Sequence, residues 1–539
     1  MRILLSLAMV SVAPFVAAQN ISHPPPATPA NHLSLFVTGL DIEGNMGGFS
    51  GTSLGSETAI SMSTTACNPG SVEGEWESNP SVNHPLINQM YCRLYENRFE
   101  QISNYGYGKH SFGSTNSNGC GYRVGCQGAA FNRLGLNCSD TYGSGLNWNR
   151  GDLGPLTEWN SWTGEFTFFG SHIDTGYPET TPNGSPSSIN PANSMQFRQR
   201  IPHSKIGTAG ATYFAMGYYL HKWEPEGNRE NNMVNKQISL STTGAGSIGS
   251  QLYGNVMEDR YTGARVESSA NEVGGTAYDG RFYVGVHVSN NGDGTWHYEY
   301  AVHNRDNHAG NVRFVVPCST TATVTNIGTK DVDLDSDPFA ATNDWTGTHA
   351  GNCIIFDPGP NARPQGWNTI YNFWFDCDAA PTNGSVEIFG DISRLNPGAN
   401  PSVVVASDVP NVAPANEDLG EGCGLDLSIT DIASPGAAVG INVSNGAPGA
   451  SAAAHIAAYD NSFALFPPFG PTTCTILTPD FVLLFPLDGG GSASTTFNIP
   501  NDNGLIGVQF HVQGAALLVG GPVLGVAELS NRIRVPVCP

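Results

Sequence analysis

Charge is scarce in this chain, and lysine is scarcer still. Asp, Glu, Lys and Arg make up 13% of its 539 residues, and only five of those residues are lysine. The formal net charge is −23. Such a surface repels phosphate backbones and anionic headgroups, which argues against nucleic acid and anionic membranes as partners. Long apolar runs are missing too. Beyond the first 18 residues no stretch is long and apolar enough to cross a bilayer, so no transmembrane segment is expected in the mature chain. What is plentiful is Gly (65), Pro (36), Ser, Thr and Asn. That mixture suits many short strands joined by turns rather than long helices.

The opening MRILLSLAMVSVAPFVAAQN has one Arg, a short apolar run and a small-residue end, which is the pattern of a signal peptide over 1–18. It predicts a secreted, extracellular or cell-surface protein. Residues 19–31 form a Pro-rich leader. The eleven cysteines fall in three groups: Cys67, Cys92, Cys120, Cys126 and Cys138; Cys318, Cys353 and Cys377; Cys423, Cys474 and Cys538. Outside the cell the default reading is disulfides. Every group is odd, so some cysteines are free or pair across groups. Cys423 with Cys474 is the expected pair in the last group, with Cys538 left over.

The stretch Arg281–Asn304 organises the rest. Phe282, Val284, Val286 and Val288 alternate with Tyr283, Gly285, His287 and Ser289; beyond Asn290–Gly294, Trp296, Tyr298, Tyr300 and Val302 alternate with His297, Glu299, Ala301 and His303. Period-two patterning on both sides of a Gly-rich turn predicts a hairpin at the centre of an antiparallel sheet. Matching the apolar faces puts Val288 opposite Trp296 and His287 opposite His297. Elsewhere, Asp41–Thr65 reads as loop and short strands, Arg93–Ile102 as a hairpin arm or short helix, and Glu224–Asn235 as an exposed loop. The fold expected is all-β: a large antiparallel, sandwich-like domain over 32–408 with long disulfide-tied loops, a linker over 409–422, and an immunoglobulin-like sandwich over 423–539 with about seven strands. In that sandwich Phe510 and Val512 face inward and His511, Gln513 and Arg532 outward.

The runs HPLINQMYCRLYENRFEQI, CSDTYGSGLNWNRGDLGP, HYEYAVHNRDNHAGNVRFVVP and WNTIYNFWFDCDAAP resemble those of a group of uncharacterised secreted bacterial β-rich proteins. FVLLFPLDGGGSASTTFNIPNDNGLIGVQFHVQGAAL, ending in ELSNRIRV, resembles a sandwich module attached to other exported proteins of the same bacteria. The resemblance implies export and β architecture. It assigns no chemistry and no functional residue.

Several constellations could carry function. His287, His297 and Glu299 share one face of the hairpin; opposed Cβ atoms lie ~5 Å apart, close enough for two imidazoles and a carboxylate to hold a divalent metal such as zinc or copper. The bland reading is a solvated polar face, since no HxH or HxxxH spacing strengthens the case. Asp331, Asp333 and Asp335 alternate in a way that could wrap calcium, although Ser336 and Thr342 stand where an EF-hand needs Gly and Glu. His84 and His110 are candidate catalytic or metal-binding residues in a loop region that also carries Glu96, Glu100 and Asp140. Cys120, Cys126 and Cys138 match no common zinc spacing. Trp148, Trp159 and Trp162 would suit stacking on a polysaccharide or matrix polymer, or simple packing. Gly51-Thr52-Ser53-Leu54-Gly55 matches a nucleophile elbow but lacks the strand-to-helix context and reads as chance. Two functions follow: an exported binding or structural protein, or a secreted metal-dependent hydrolase or oxidoreductase built on the histidines.

Overall fold

The computed structural model describes residues 39–77, 83–109, 113–120, 125–147, 153–156, 159–164, 198–332, 345–359, 364–411, 416–420, 422–429, 433–458, 462–465, 475–502, 505–506 and 508–538. The expected signal peptide and leader lie outside them. The fold is all-β; Val256–Arg260 is the single α-helix among the described residues. Its first turn is capped by the Asn255 side chain, which accepts from the Met257 N–H. No helix there is long and apolar enough to cross a membrane.

The hairpin lies in the middle of a five-stranded central sheet in the order Arg265–Val273, Thr276–Asn290, Trp296–Asn304, Thr369–Cys377, Val324–Lys330. Both faces of this sheet are covered. On one face Tyr300, Phe373 and Phe375 meet Phe314, Phe356 and Trp345 of an outer sheet ordered Trp345–Ala350, Cys353–Pro358, Arg313–Pro317, Pro381–Phe389, Ser402–Pro410. Phe314 and Phe373 stack with centroids 4.9 Å apart. Burying each such side chain is worth ~1.5–3 kcal/mol, so this aromatic layer contributes substantially to the stability of the core.

The other face meets a flanking sheet ordered Gly244–Tyr253, Met233–Ser241, Thr212–Leu220, Leu86–Tyr95, Tyr107–Lys109, Leu153–Pro155, with Arg98–Gln101 also paired to Leu86–Tyr95. Arg93–Ile102 is therefore a hairpin. Glu96 and Asn97 both hold positive φ, 49° and 66°, as a two-residue turn matching strand twist requires. Asn372 Nδ2 donates to the Phe99 carbonyl at 2.9 Å, and the Ile370 N–H to Gln101 Oε1 at 3.0 Å, stitching the sheets together. The polar face of the central sheet is thus covered by the flanking sheet around the buried Glu299 and Ala301, while His287, Ser289 and His297 nearer the turn stay half-buried.

Glu43–Leu54 and Glu57–Cys67 form a further hairpin, turning at Gly55 (φ 61°), in a region expected to hold loop and short strands. Ser53 lies in the first of these strands and no helix follows it, so the elbow match is not an elbow.

Within the expected linker, Val409 and Pro410 end the strand Ser402–Pro410 and Glu417–Asp418 pairs with Ala527–Pro536, while 412–415 and 421 lie outside the described residues. The C-terminal ladder runs Phe481–Pro486, Ser451–Ala457, Gln509–Leu517, Ala527–Pro536, Gly424–Ile429, Ala438–Ser444, Ala493–Asn498. Gly424–Ile429 starts in one sheet and continues in another, closing a sandwich around Ile441, Val512 and Val535. Its outward row is not solvated. Gln513 accepts from Leu477 N at 2.8 Å, donates to the Thr475 carbonyl at 2.7 Å, and is buried beside His511 and Arg532.

Disulfides join Cys67 to Cys120, Cys126 to Cys138 and Cys353 to Cys538. Cys538 is therefore not the leftover cysteine; it ties the C-terminal module to the outer sheet. Cys423 is disulfide-bonded, and its expected partner Cys474 lies outside the described residues.

Candidate functional site

The hairpin register differs from the expected one by two residues. Val288 faces Tyr298, His287 faces Glu299, Ser289 faces His297 and Asn290 faces Trp296. The turn explains the difference. Asp293 accepts from the Thr295 N–H at 3.0 Å and its hydroxyl at 2.7 Å, and Gly292 and Gly294 take φ of 82° and 97°. This tight loop draws Ser289 and Asn290 into the ladder. A shift of two preserves parity, so His287, His297 and Glu299 still share a face, but the two imidazoles are not directly opposed.

That face already contains a cation. Arg98, from the flanking sheet, donates Nε to Glu299 Oε1 at 2.8 Å and Nη2 to Oε2 at 2.6 Å, while its guanidinium lies 3.9 Å from the Trp374 ring centroid. Glu299 is buried and both its oxygens are engaged in this fork. His297 Nδ1 lies 2.7 Å from Asp376 Oδ1, and its Nε2 lies 3.4 Å from Glu299 Oε2. Carboxylates only accept, so both ring nitrogens donate and the imidazolium is favoured: the Glu299 hydrogen bond, with Asp376 adding to it, raises the His297 pKa. His287 moves the other way, because burial and the nearby His297 charge disfavour its protonation. Among the described residues no three His, Cys, Asp or Glu side chains gather as metal ligands.

A raised histidine pKa stabilises the fold below the free value of about 6.5, and that contribution is lost as pH rises through the folded pKa. His297→Ala is therefore expected to cost ~0.5–1 kcal/mol more at pH 5.5 than at pH 8. Proton NMR titration should place His297 above 6.5 and His287 below it; the reverse order would mean the pairing is not as described.

The other candidates are dispersed. His84 is buried and its Nδ1 donates to the Pro85 carbonyl at 3.1 Å. Nothing in the sequence singles out His221, whose pKa burial pushes down to about 3; His221 Nε2 donates to the Glu75 carbonyl at 2.9 Å beneath the Trp76 ring. Glu100 lies among Lys330, Lys205 and Arg93; burial alone would raise its pKa, but these cations outweigh it and hold the carboxyl at about 2. Asp140 is committed to Trp76 Nε1 at 3.0 Å and to Thr115. Trp159 and Trp162 are each 1% exposed and cannot stack on a sugar. His110, Trp148, Asp333 and Asp335 lie outside the described residues; Asp331 is half-buried.

No family model matches the chain. No curated protein matches it. Among solved structures it aligns with Escherichia coli alpha-2-macroglobulin activated by porcine elastase at 11% identity over 93% of this chain, with a TM-score of 0.14. The aligned part is 35% of that protein's length, and so low a score carries no argument about fold or function.

The most concentrated chemistry lies where no site was expected, at the far end of the hairpin. Asp306 Oδ2 accepts from Arg229 Nη1 at 3.0 Å and the Tyr218 hydroxyl at 3.3 Å; Oδ1 accepts from Arg305 Nε at 2.9 Å and the Arg281 N–H at 3.0 Å. Glu226 Oε1 accepts from Arg305 at 3.0 Å and Arg281 at 2.7 Å. Arg229, from the segment expected to be an exposed loop, also lies 4.4 Å from the Trp162 ring centroid. The sequence signal was the run His303–His308, where apolar alternation stops and polar residues follow one another at a strand end.

Glu224, beside this cluster, is fully buried and accepts from the Ile42 N–H at 2.6 Å and from Asn232. Burial lifts its pKa to about 8, which favours the protonated form at neutral pH. A raised carboxyl pKa contributes stability below about 4.3 that is lost as pH rises through 8. Stability should fall by ~2 kcal/mol between pH 5 and pH 9, and Glu224→Gln should flatten that slope in urea titrations. An unchanged slope in the variant would put the pH dependence elsewhere.

Proposed function

We propose that the chain is an exported binding or structural protein that performs no reaction at its central hairpin. The observation that carries this is the Arg98 fork on Glu299: the carboxylate that would anchor a metal is paired with a guanidinium from another sheet. His297 is likewise committed to Asp376. The disulfides and the all-β frame fit a protein working in an oxidising exterior.

The proposed partner is an extracellular polymer such as a polysaccharide, engaged through surfaces other than the buried Trp159 and Trp162. Cosedimentation of the full chain with insoluble polysaccharides tests the partner. Metal content of the full chain, purified after growth in metal-replete medium, tests the alternative. No stoichiometric metal is expected in wild type. Stoichiometric zinc or copper, lost in both His287→Ala and His297→Ala, would overturn this reading in favour of a secreted metal-dependent enzyme.

A further inference from the structure

Three cysteines carry no disulfide among the described residues: Cys92, Cys318 and Cys377, all buried. Cys318 follows the outer-sheet strand Arg313–Pro317, and its N–H donates to the Asn352 carbonyl at 2.7 Å, next to the bonded Cys353. Cys377 ends the central-sheet strand Thr369–Cys377, opposite Trp296 on one side and Val324 on the other. The two side chains belong to the same core cluster, and the segment that follows Cys318 returns to Cys377: Asp378 N–H donates to the Thr323 carbonyl at 3.2 Å and Thr323 N–H to Asp378 Oδ1 at 3.0 Å, with Val324 paired to Cys377 itself. The thiols are close enough to move each other's pKa, Cys318 upward and Cys377 downward.

We propose that Cys318 and Cys377 form a disulfide in the exported protein, locking the central sheet to the outer sheet. The inference rests on the proposed export, because only an oxidising compartment sustains the bond. Cys353–Cys538 joins the outer sheet to the C-terminal module. With the new bond, the three layers are linked covalently in series. Cys92 is the odd cysteine and stays reduced: it is wholly buried in the flanking sheet, and burial pushes its thiol far above the ordinary range.

The step needs an oxidant of the protein-disulfide or glutathione-disulfide class. The step can be written with the Cys377 sulfur as the entry nucleophile, which reacts as its thiolate. Its thiolate attacks the oxidant's disulfide, forming a mixed disulfide and expelling one thiolate. Cys318, deprotonated by solvent, then attacks the Cys377 sulfur and expels the second. Two protein thiols lose two electrons and two protons, and one oxidant disulfide becomes two thiols. Because both sulfurs are buried in the finished fold, the exchange takes place before the sheets close.

The test is refolding of the full chain in a glutathione redox buffer, followed by denaturation without reductant, alkylation and peptide mapping. The expected result is a linked Cys318–Cys377 peptide, with alkyl label on Cys92 only among these three. The Cys67–Cys120, Cys126–Cys138 and Cys353–Cys538 peptides serve as the internal reference. If those bonds form while Cys318 and Cys377 are both alkylated, or if either links elsewhere, the proposal is overturned and the export reading stands. If none of the bonds form, the export reading fails and takes the proposal with it. The double variant C318A/C377A avoids a stranded thiol and should fold, with a thermal midpoint several degrees below wild type under oxidising conditions and close to it under reducing ones. Equal midpoints under oxidising conditions would also overturn the proposal.

Discussion

Asp306→Asn is expected to cost ~3–5 kcal/mol, a large share of a typical folding stability of about 5–15 kcal/mol. The carboxylate is fully buried and paired directly with Arg229 and Arg305, both also buried. Burial would raise its pKa, but Arg305 and Arg229 outweigh that and hold it at about 2. Removing the charge leaves two buried guanidinium groups with only Glu226, which bonds Arg305, as a nearby carboxylate, so their desolvation is offset only in part. The pH dependence carries a second signature. A depressed carboxyl pKa gives stability that is present above about 3.9 and lost as pH falls through 2. Wild type should therefore lose this contribution on acidification, whereas the variant has already lost it at neutral pH. Urea unfolding at pH 7 and pH 3 reads both effects. A cost under ~1 kcal/mol at pH 7 would mean the cluster is hydrated rather than dry.

The contrast between Asp306 and the hairpin shows what a sequence can and cannot express. Alternation from Phe282 to Val288 and from Trp296 to Val302 makes the central strands legible, because only an extended backbone turns successive side chains to opposite faces. Register is not legible to better than two residues. Faces repeat every two positions, and the deciding contacts lie within the Asp293–Thr295 loop. The Glu43–Cys67 hairpin is hard to see because its buried positions include Ser61 and Thr64, which carry no apolar signal. Glu224–Asn235 misleads for the opposite reason. Charged residues are ordinarily exposed, and nothing local marks Arg229 as the partner of an aspartate 77 positions away. The candidate metal face suffers in the same way: His287, His297 and Glu299 do lie together, but the group that engages Glu299 comes from Arg98, 201 residues earlier. Long-range pairing is invisible to any reading of neighbours.

The second large effect concerns the C-terminal module, where cysteine grouping by sequence points the wrong way. Cys538→Ser is expected to split a single calorimetric transition into two. The module has its own hydrogen-bonded ladder and its own core, including Leu427, Ile441, Ile456, Val512 and Val535, so it should melt as a unit. What holds it to the outer sheet is a small apolar seam of Ile506 and Cys538 against Val315, Cys353, Ile355 and Phe389. Pro536 packs there too, over Gly351, where a Cβ would lie 2.7 Å from the proline ring. The Cys353–Cys538 bond closes a loop across a separation of 185 residues. In the chain-entropy account, closing so long a loop is worth up to about 5 kcal/mol. Without the bond, the seam alone must oppose separation, and few apolar side chains contribute to it. The lower transition of Cys538→Ser should coincide with that of an isolated 423–539 fragment, and reductant should convert wild type to the same two-step profile. A variant that still melts in one step, at the wild-type midpoint, would show that the seam rather than the disulfide couples the module to the rest.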